Sequence, residues 1–147
     1  AEPLFRSLFC MPKKMREMSR KRMVSELDRY VSLIVRLKDP YCVVCGSREK
    51  LTNGHVFSRR KYNTRWDIKE TGNCHTQCWA CNYKHVRDQY PYFDWYIKRF
   101  GMSRFERLRK RFNAEVKFST PQLAEMLEKV KKQYTKLVER SYNDPFK

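Results

Sequence analysis

The 147-residue chain has no apolar run long enough to cross a bilayer and no secretory hydrophobic stretch, so a helical membrane protein is excluded and an intracellular setting is expected. It has no internal repeat and no low-complexity linker, which argues against a solenoid or a string of tethered modules. One compact domain, or one domain with helical arms, is the expectation. Acidic residues are scarce. The 16 Asp and Glu face 33 Lys and Arg, for a net charge of +17. The positive charge is spread along the chain rather than gathered in a tail. Such a field concentrates polyanions, nucleic acid before all others, with an anionic membrane surface as the competitor.

Hydrophobic residues make up 41% of the chain and aromatics 14%, so a core is affordable but not large. Six cysteines in a chain of this character favour metal over disulfides. Four of them form two matched knuckles, Cys42-x2-Cys45 and Cys78-x2-Cys81, the usual way to build a four-thiolate zinc site from two tight turns. A structural Zn²⁺ is therefore expected on Cys42, Cys45, Cys78 and Cys81. Cys74 offers a competing set, C-x3-C-x2-C with Cys78 and Cys81. Cys10 and Cys74 are otherwise read as small buried hydrophobes.

The apolar pattern then places elements. Residues 1–12 hold an apolar cluster, Leu4, Phe5, Leu8 and Phe9, expected to dock on the body or on a second subunit. Met23, Leu27, Tyr30, Ile34 and Leu37 lie on one helical stripe, predicting a helix over 13–38 that Asp39-Pro40 ends. Its basic first half, Lys13 to Arg22, is either a solvated face or a binding surface. A strand is predicted over 50–58 and a second extended piece or turn over 72–76, with a loop between them. Helices are predicted from about Cys81 to Arg87, from Pro91 to Phe100 with Gly101 as its stop, and over 103–112. The last begins with Thr120 as N-cap and Pro121 behind it. Its stripe, Leu123, Met126, Leu127, Val130, Tyr134, Leu137 and Val138, reads as packing or as a dimer seam. The division expected is a basic helical arm at 1–40, a zinc-bound core at 41–90 and a helical region at 91–147.

The 32 residues between the knuckles exceed what a zinc ribbon needs. They carry His55, in Asn53-Gly54-His55-Val56, and Asn73, while Asn82 follows the last cysteine directly. One zinc would brace both the strand carrying His55 and the helix carrying Asn82, so that the two face each other. A neutral imidazole can accept a proton from water at physiological pH. An amide oxygen suits Mg²⁺, which keeps most of its waters and takes other ligands from substrate phosphate. A base and one hard cation are the minimum for phosphodiester hydrolysis. The bland reading is a non-catalytic zinc module that binds DNA, in which His55, His75 and His85 merely pack. Tyr62, Trp66, Trp79 and Tyr83 could stack on unpaired bases, although core packing is the first expectation for Trp79.

The pattern Cys42-x2-Cys45, Gly54-His55, Asn73-x4-Cys78-x2-Cys81-Asn82 resembles the zinc-braced HNH endonucleases with their ββα-metal core. The segments Tyr41–Gly46, Gly54–Arg59 and Asn73–Asn82, with Tyr96-Ile97-x2-Phe100-Gly101 and Leu127-Glu128-Lys129 later, are more similar still to the phage Rap/NinG recombination endonucleases, over about residues 27–137. The resemblance implies an α+β fold, with a small zinc-braced ββα-metal (HNH) core flanked by long basic helices. It implies an endonuclease cleaving DNA, branched or junction DNA included, in phage recombination inside the bacterial host. His55 would be the general base and Asn73 the asparagine that orients it. Asn82 would hold the catalytic Mg²⁺ or Mn²⁺ where the family commonly has a histidine. Products would carry 5′-phosphate and 3′-hydroxyl ends. Arg59 and Arg60 are the expected phosphate grips, the guanidinium fork suiting bidentate contacts. One departure stands out. Many HNH enzymes have an acidic metal ligand just before the histidine, whereas this chain has Gly54, so either Asn82 would hold the metal nearly alone or Asn53, Asp67 or His85 would assist. A homodimer would suit paired cuts at a junction. RNA stands as the weaker substrate, and a zinc-containing DNA-binding accessory protein as the rival from another class.

Overall fold

The computed structural model describes residues 13–144; the cluster at residues 1–12, with Cys10, lies outside the described residues. The elements, in chain order, are α1 (Lys13–Arg16), α2 (Arg20–Lys38), β1 (Leu51–His55), α3 (Tyr62–Arg65), β2 (Cys74–Cys78), α4 (Trp79–His85), α5 (Tyr90–Phe100), α6 (Met102–Asn113) and α7 (Thr120–Tyr142). The described residues are thus mostly helical, with one two-stranded sheet among them. None of the described helices is long and apolar enough to cross a membrane.

The contacts divide the chain into two units, residues 31–116 and the described residues on either side. In the flanking unit, Met23 and Leu27 of α2 are buried, as are Leu123, Ala124, Leu127 and Val130 of α7. Tyr30 meets Tyr134 edge-on at 5.5 Å. Two starts differ from the periodicity. The helix predicted over 13–38 is interrupted before Arg20, where the Ser19 hydroxyl accepts from the Arg22 N–H at 3.2 Å. The cap of α7 is Ser119 rather than Thr120. Its hydroxyl accepts from Gln122 N while the Gln122 side chain accepts from Ser119 N, a complete capping box. A threonine next to a serine looks equivalent in sequence, and only the serine has a partner at the third helical position.

In the 31–116 unit, β1 and β2 pair antiparallel, Leu51 opposite Cys78 and His55 opposite Cys74. The second strand therefore runs two residues beyond the predicted 72–76. Its position is held from outside the sheet, since the Thr76 hydroxyl donates to Val35 O of α2 at 3.1 Å and Val43 N donates to Thr76 O at 2.9 Å. The core joins Val56 and Phe57, just past β1, to Tyr92 and Tyr96 of α5 and Phe105 and Leu108 of α6. Phe57 is its hub, with the rings of Phe93, Phe105 and Phe112 each 5.3 Å away. So α5 and α6 pack with the sheet within the 31–116 unit.

Gly54 is where the two strands leave no room. A Cβ there would lie 2.2 Å from Gln77 Oε1 and 2.6 Å from its Cγ. Gln77 is buried, at 1% exposure, so its amide has nowhere to retreat. Gly54→Ala is expected to lower stability by about 1–3 kcal/mol through overpacking, read as a shift in the denaturant midpoint. An unchanged midpoint would show that Gln77 can move aside.

Candidate functional site

The two knuckles meet. The sulfurs of Cys42, Cys45, Cys78 and Cys81 all lie within 4.8 Å of one another. A tetrahedron with Zn–S near 2.3 Å has S···S edges of about 3.8 Å, and Cys45 Sγ lies 3.7 Å from Cys78 Sγ. Local turns set this up. Gly46, at φ +79°, closes the first knuckle with its N–H on Cys42 O at 2.8 Å. In the second knuckle Cys78 caps α4, its Sγ accepting from Cys81 N at 3.4 Å. Burial pushes the Cys42 thiol up, but backbone donors led by Cys45 and Cys78 outweigh it and bring it down to about 7. Burial and the neighbouring Cys78 and Cys45 thiols push the Cys81 thiol up. Four thiols packed this closely repel as they ionise, and a bound Zn²⁺ removes that conflict. Cys74 stands outside the cluster, buried, its Sγ–H donating to Arg65 O at 3.2 Å.

Beside this cluster lies an open cleft of about 740 Å³. Among its lining residues are Asn53, His55, Arg59, Arg60, Asn82 and His85, and none of its lining residues is acidic. The residues singled out from β1 and from the helix after the second knuckle are thereby gathered on one surface. His55 is oriented through the backbone. Its Nε2 lies 2.9 Å from Arg65 O, at the end of α3. A carbonyl only accepts, so Nε2 is the nitrogen that carries a proton here. No side-chain pattern foretold this partner, because α3 falls where a loop was predicted and the acceptor is main chain.

Asn73 does not line the cleft. It is fully buried and clamps the residue two past His55, accepting from Phe57 N and donating to Phe57 O, both at 2.8 Å. Val56 N adds a bond to Asn73 O at 2.9 Å. This pins the chain where it leaves β1. Asn73→Ala would strand two buried backbone groups, each costing about 1–3 kcal/mol. The expected result is a lower unfolding midpoint, with Asn73→Asp intermediate because it keeps the acceptor. An unaltered midpoint in Asn73→Ala would mean that water replaces the amide.

The candidate cation ligands divide. Asn82 Nδ2 donates to Thr52 Oγ1 at 3.0 Å, which leaves its Oδ1 as the acceptor. Two buried acceptors on cleft-lining residues have no hydrogen-bond partner among the described residues, Asn53 Oδ1 and His85 Nδ1. His85 Nε2 donates to Val56 O at 2.9 Å, and burial holds the ring below its usual 6.5, so at neutral pH Nδ1 bears a lone pair. The two amide oxygens are hard, neutral donors and the imidazole nitrogen a borderline one, a set that fits a divalent cation keeping waters and phosphate in its shell. Asp67 does not join them. Its carboxylate pairs with Arg111 and it lies outside the cleft lining. Position 54 offers nothing either, since the Gln77 side chain occupies the space a side chain would need. His75 is buried against Trp95 and Phe100, its Nε2 2.8 Å from Gly72 O, away from the cleft lining. Trp66 is a core residue packed on Tyr62, but Trp79, expected in the core, is 58% exposed. The reason is its place in α4, a helix with no buried residue, held by the knuckle and by polar contacts.

A family model described as "Bacteriophage Lambda NinG protein" matches residues 10–141. The chain belongs to the NinG family. The match takes in both knuckles, every cleft residue named above and the α7 stripe, and extends on both sides of the 27–137 span carried by the motifs. No curated protein and no solved structure matches the chain. Membership in the NinG family places the chain among phage proteins, and its four clustered cysteines give it the means to bind metal.

Proposed function

We propose that this protein is a metal-dependent DNA endonuclease of the HNH type, acting on branched or junction DNA in phage recombination. The observation that carries the reading is the gathering of His55, Asn82 and Arg59–Arg60 on one acid-free cleft, beside a four-cysteine cluster that can brace both β1 and α4. NinG-family membership supports the phage setting, and clustered free thiols suit a reducing host cytoplasm.

In this reading the cleft's own residues divide the work. Arg59 and Arg60 hold flanking phosphates. His55 Nδ1 takes a proton from the attacking water, while Nε2–H stays on Arg65 O and keeps the ring from turning. Asn73 keeps His55 in place through the Phe57 backbone. Water oxygen bonds to phosphorus, the bond to the 3′ oxygen breaks, and that oxygen takes a proton from solvent, leaving 5′-phosphate and 3′-hydroxyl ends. A divalent cation, Mg²⁺ or Mn²⁺, held by Asn82 with Asn53 and His85, would supply positive charge against the scissile phosphate. Because these ligands are neutral, the cation and the DNA should bind together, each supplying what the other lacks.

The test is nicking of labelled duplex, single-stranded and four-way-junction DNA by the zinc-loaded protein, with Mg²⁺ or Mn²⁺ present or omitted. Cutting that depends on the added cation supports the reading, and preference for the junction supports the branched substrate. Tight, salt-sensitive binding with no cutting under either cation would instead assign a zinc-containing DNA-binding accessory protein.

A further inference from the structure

We propose that Trp79 and Tyr83 form a stacking platform for an unpaired DNA base on the wall of the cleft. Trp79 is 58% exposed and Tyr83 54%, yet the two rings are ordered against each other, 5.2 Å apart and 11° from parallel. They occupy successive turns of α4, four residues apart, and Arg87 four residues further on sits over the Tyr83 ring at 5.7 Å. The result is a column of indole and phenol on one face of α4, topped by a guanidinium from the turn that follows the helix. Trp66 and Trp95, the other tryptophans, pack on aromatic neighbours, so Trp79 is the exposed one.

The column is built in before any ligand arrives. Trp79 lies between Cys78 and Cys81 of the second knuckle, and its N–H donates to Lys50 O at 2.8 Å. A stacked pair held this way loses little freedom when a third flat ring is added. The surroundings select the ring. Both aromatics line the same cleft as Arg59 and Arg60, with Lys84 of α4 and Arg87, just past its end, exposed and no acidic residue in the lining. An aromatic face beside several cations fits a nucleotide, and one whose base face is open, because in a paired duplex both faces are covered by neighbouring base pairs. The platform would let the cleft distinguish DNA with unpaired nucleotides from continuous duplex. The inference rests on DNA being the ligand of the cleft, as proposed above, but not on its being cut.

The experiment uses the full chain, zinc-loaded and without Mg²⁺. The probes are a duplex with a short single-stranded gap carrying 2-aminopurine and the same duplex without the gap. Wild type should bind the gapped DNA more tightly and change the 2-aminopurine emission by stacking. Trp79→Ala should bind gapped DNA about tenfold or more weakly, with duplex affinity unchanged. Trp79→Phe should recover most of the loss. Because Trp79 is exposed, the variant is expected to keep its zinc content and unfolding midpoint, and both are to be measured. A Trp79→Ala protein that binds both DNAs as wild type does, or that weakens equally on both, overturns the platform and leaves the nuclease reading standing. Gap-specific stacking by a wild type that never cuts supports the platform while removing the nuclease. Failure of the wild type to bind either DNA overturns both.

Discussion

His55→Ala is expected to lower cation-dependent DNA cleavage by about 10²–10⁴-fold, the span that a positioned general base contributes, while DNA affinity stays near wild type. The structure makes this variant informative, because the fold loses little with the ring. Arg65 O accepts from both His55 Nε2 and Cys74 Sγ, so removing the imidazole does not orphan that carbonyl. His55 is partly exposed and lines the cleft rather than filling the core. The measurement is single-turnover cleavage of labelled DNA under saturating protein, beside equilibrium binding of the same DNA without Mg²⁺. Cleavage that persists undiminished in the variant would remove His55 as the base. Loss of binding together with cleavage would recast it as a binding residue.

The second large effect concerns the cysteines. Replacing Cys81 by serine, or stripping zinc with a strong chelator, is expected to unfold the 31–116 unit. Structural zinc contributes about 10–16 kcal/mol in small zinc domains, as much as the whole stability of a typical domain, about 5–15 kcal/mol. The helix at stake is short. Seven residues with none buried do not hold helical structure by themselves, and α4 relies on Cys78 and Cys81, on Trp79 N to Lys50 O, and on the side chains of Asn82 and His85. Cys74→Ser is the discriminating control, since Cys74 is buried but stands outside the sulfur cluster. Metal analysis should find one zinc per chain in wild type and in Cys74→Ser, and none in Cys81→Ser, whose circular dichroism should show lost helix. Zinc retained by Cys81→Ser, or lost from Cys74→Ser, would mean a different ligand set.

The two effects are linked by geometry. Trp79 and Asn82 flank Cys81 in sequence and both line the cleft, so the cluster that stabilises the unit also aims the cleft's side chains. Unfolding by chelation should therefore abolish cutting even with Mg²⁺ in excess, whereas His55→Ala should slow it in a protein that stays folded. Unfolding midpoints measured beside activity separate the two.

Much of this was legible from spacing alone. Two C-x-x-C turns bring their own sulfurs together within three residues, so matched knuckles favoured Cys42, Cys45, Cys78 and Cys81 over a set with Cys74, and the fold then brings the two pairs together. Apolar periodicity likewise placed α2 and α7, and Pro91 and Gly101 bounded α5. What only the tertiary structure decided is where each polar or aromatic side chain spends its contacts. Asp67 was free to be a ligand until Arg111, 44 residues on, was seen to pair with it. Gly54 looked like a missing acid until Gln77 of the neighbouring strand was found in that space. Trp79 looked like core because tryptophan usually is, and it is exposed because its short helix buries none of its residues. The His55 proton is assigned by a backbone carbonyl, and backbone carries no sequence signal. The physical reason is range. Ligand turns, helix stripes and charge are set by residues a few positions apart, whereas burial, ion pairing and tautomer depend on which distant segment the fold brings alongside.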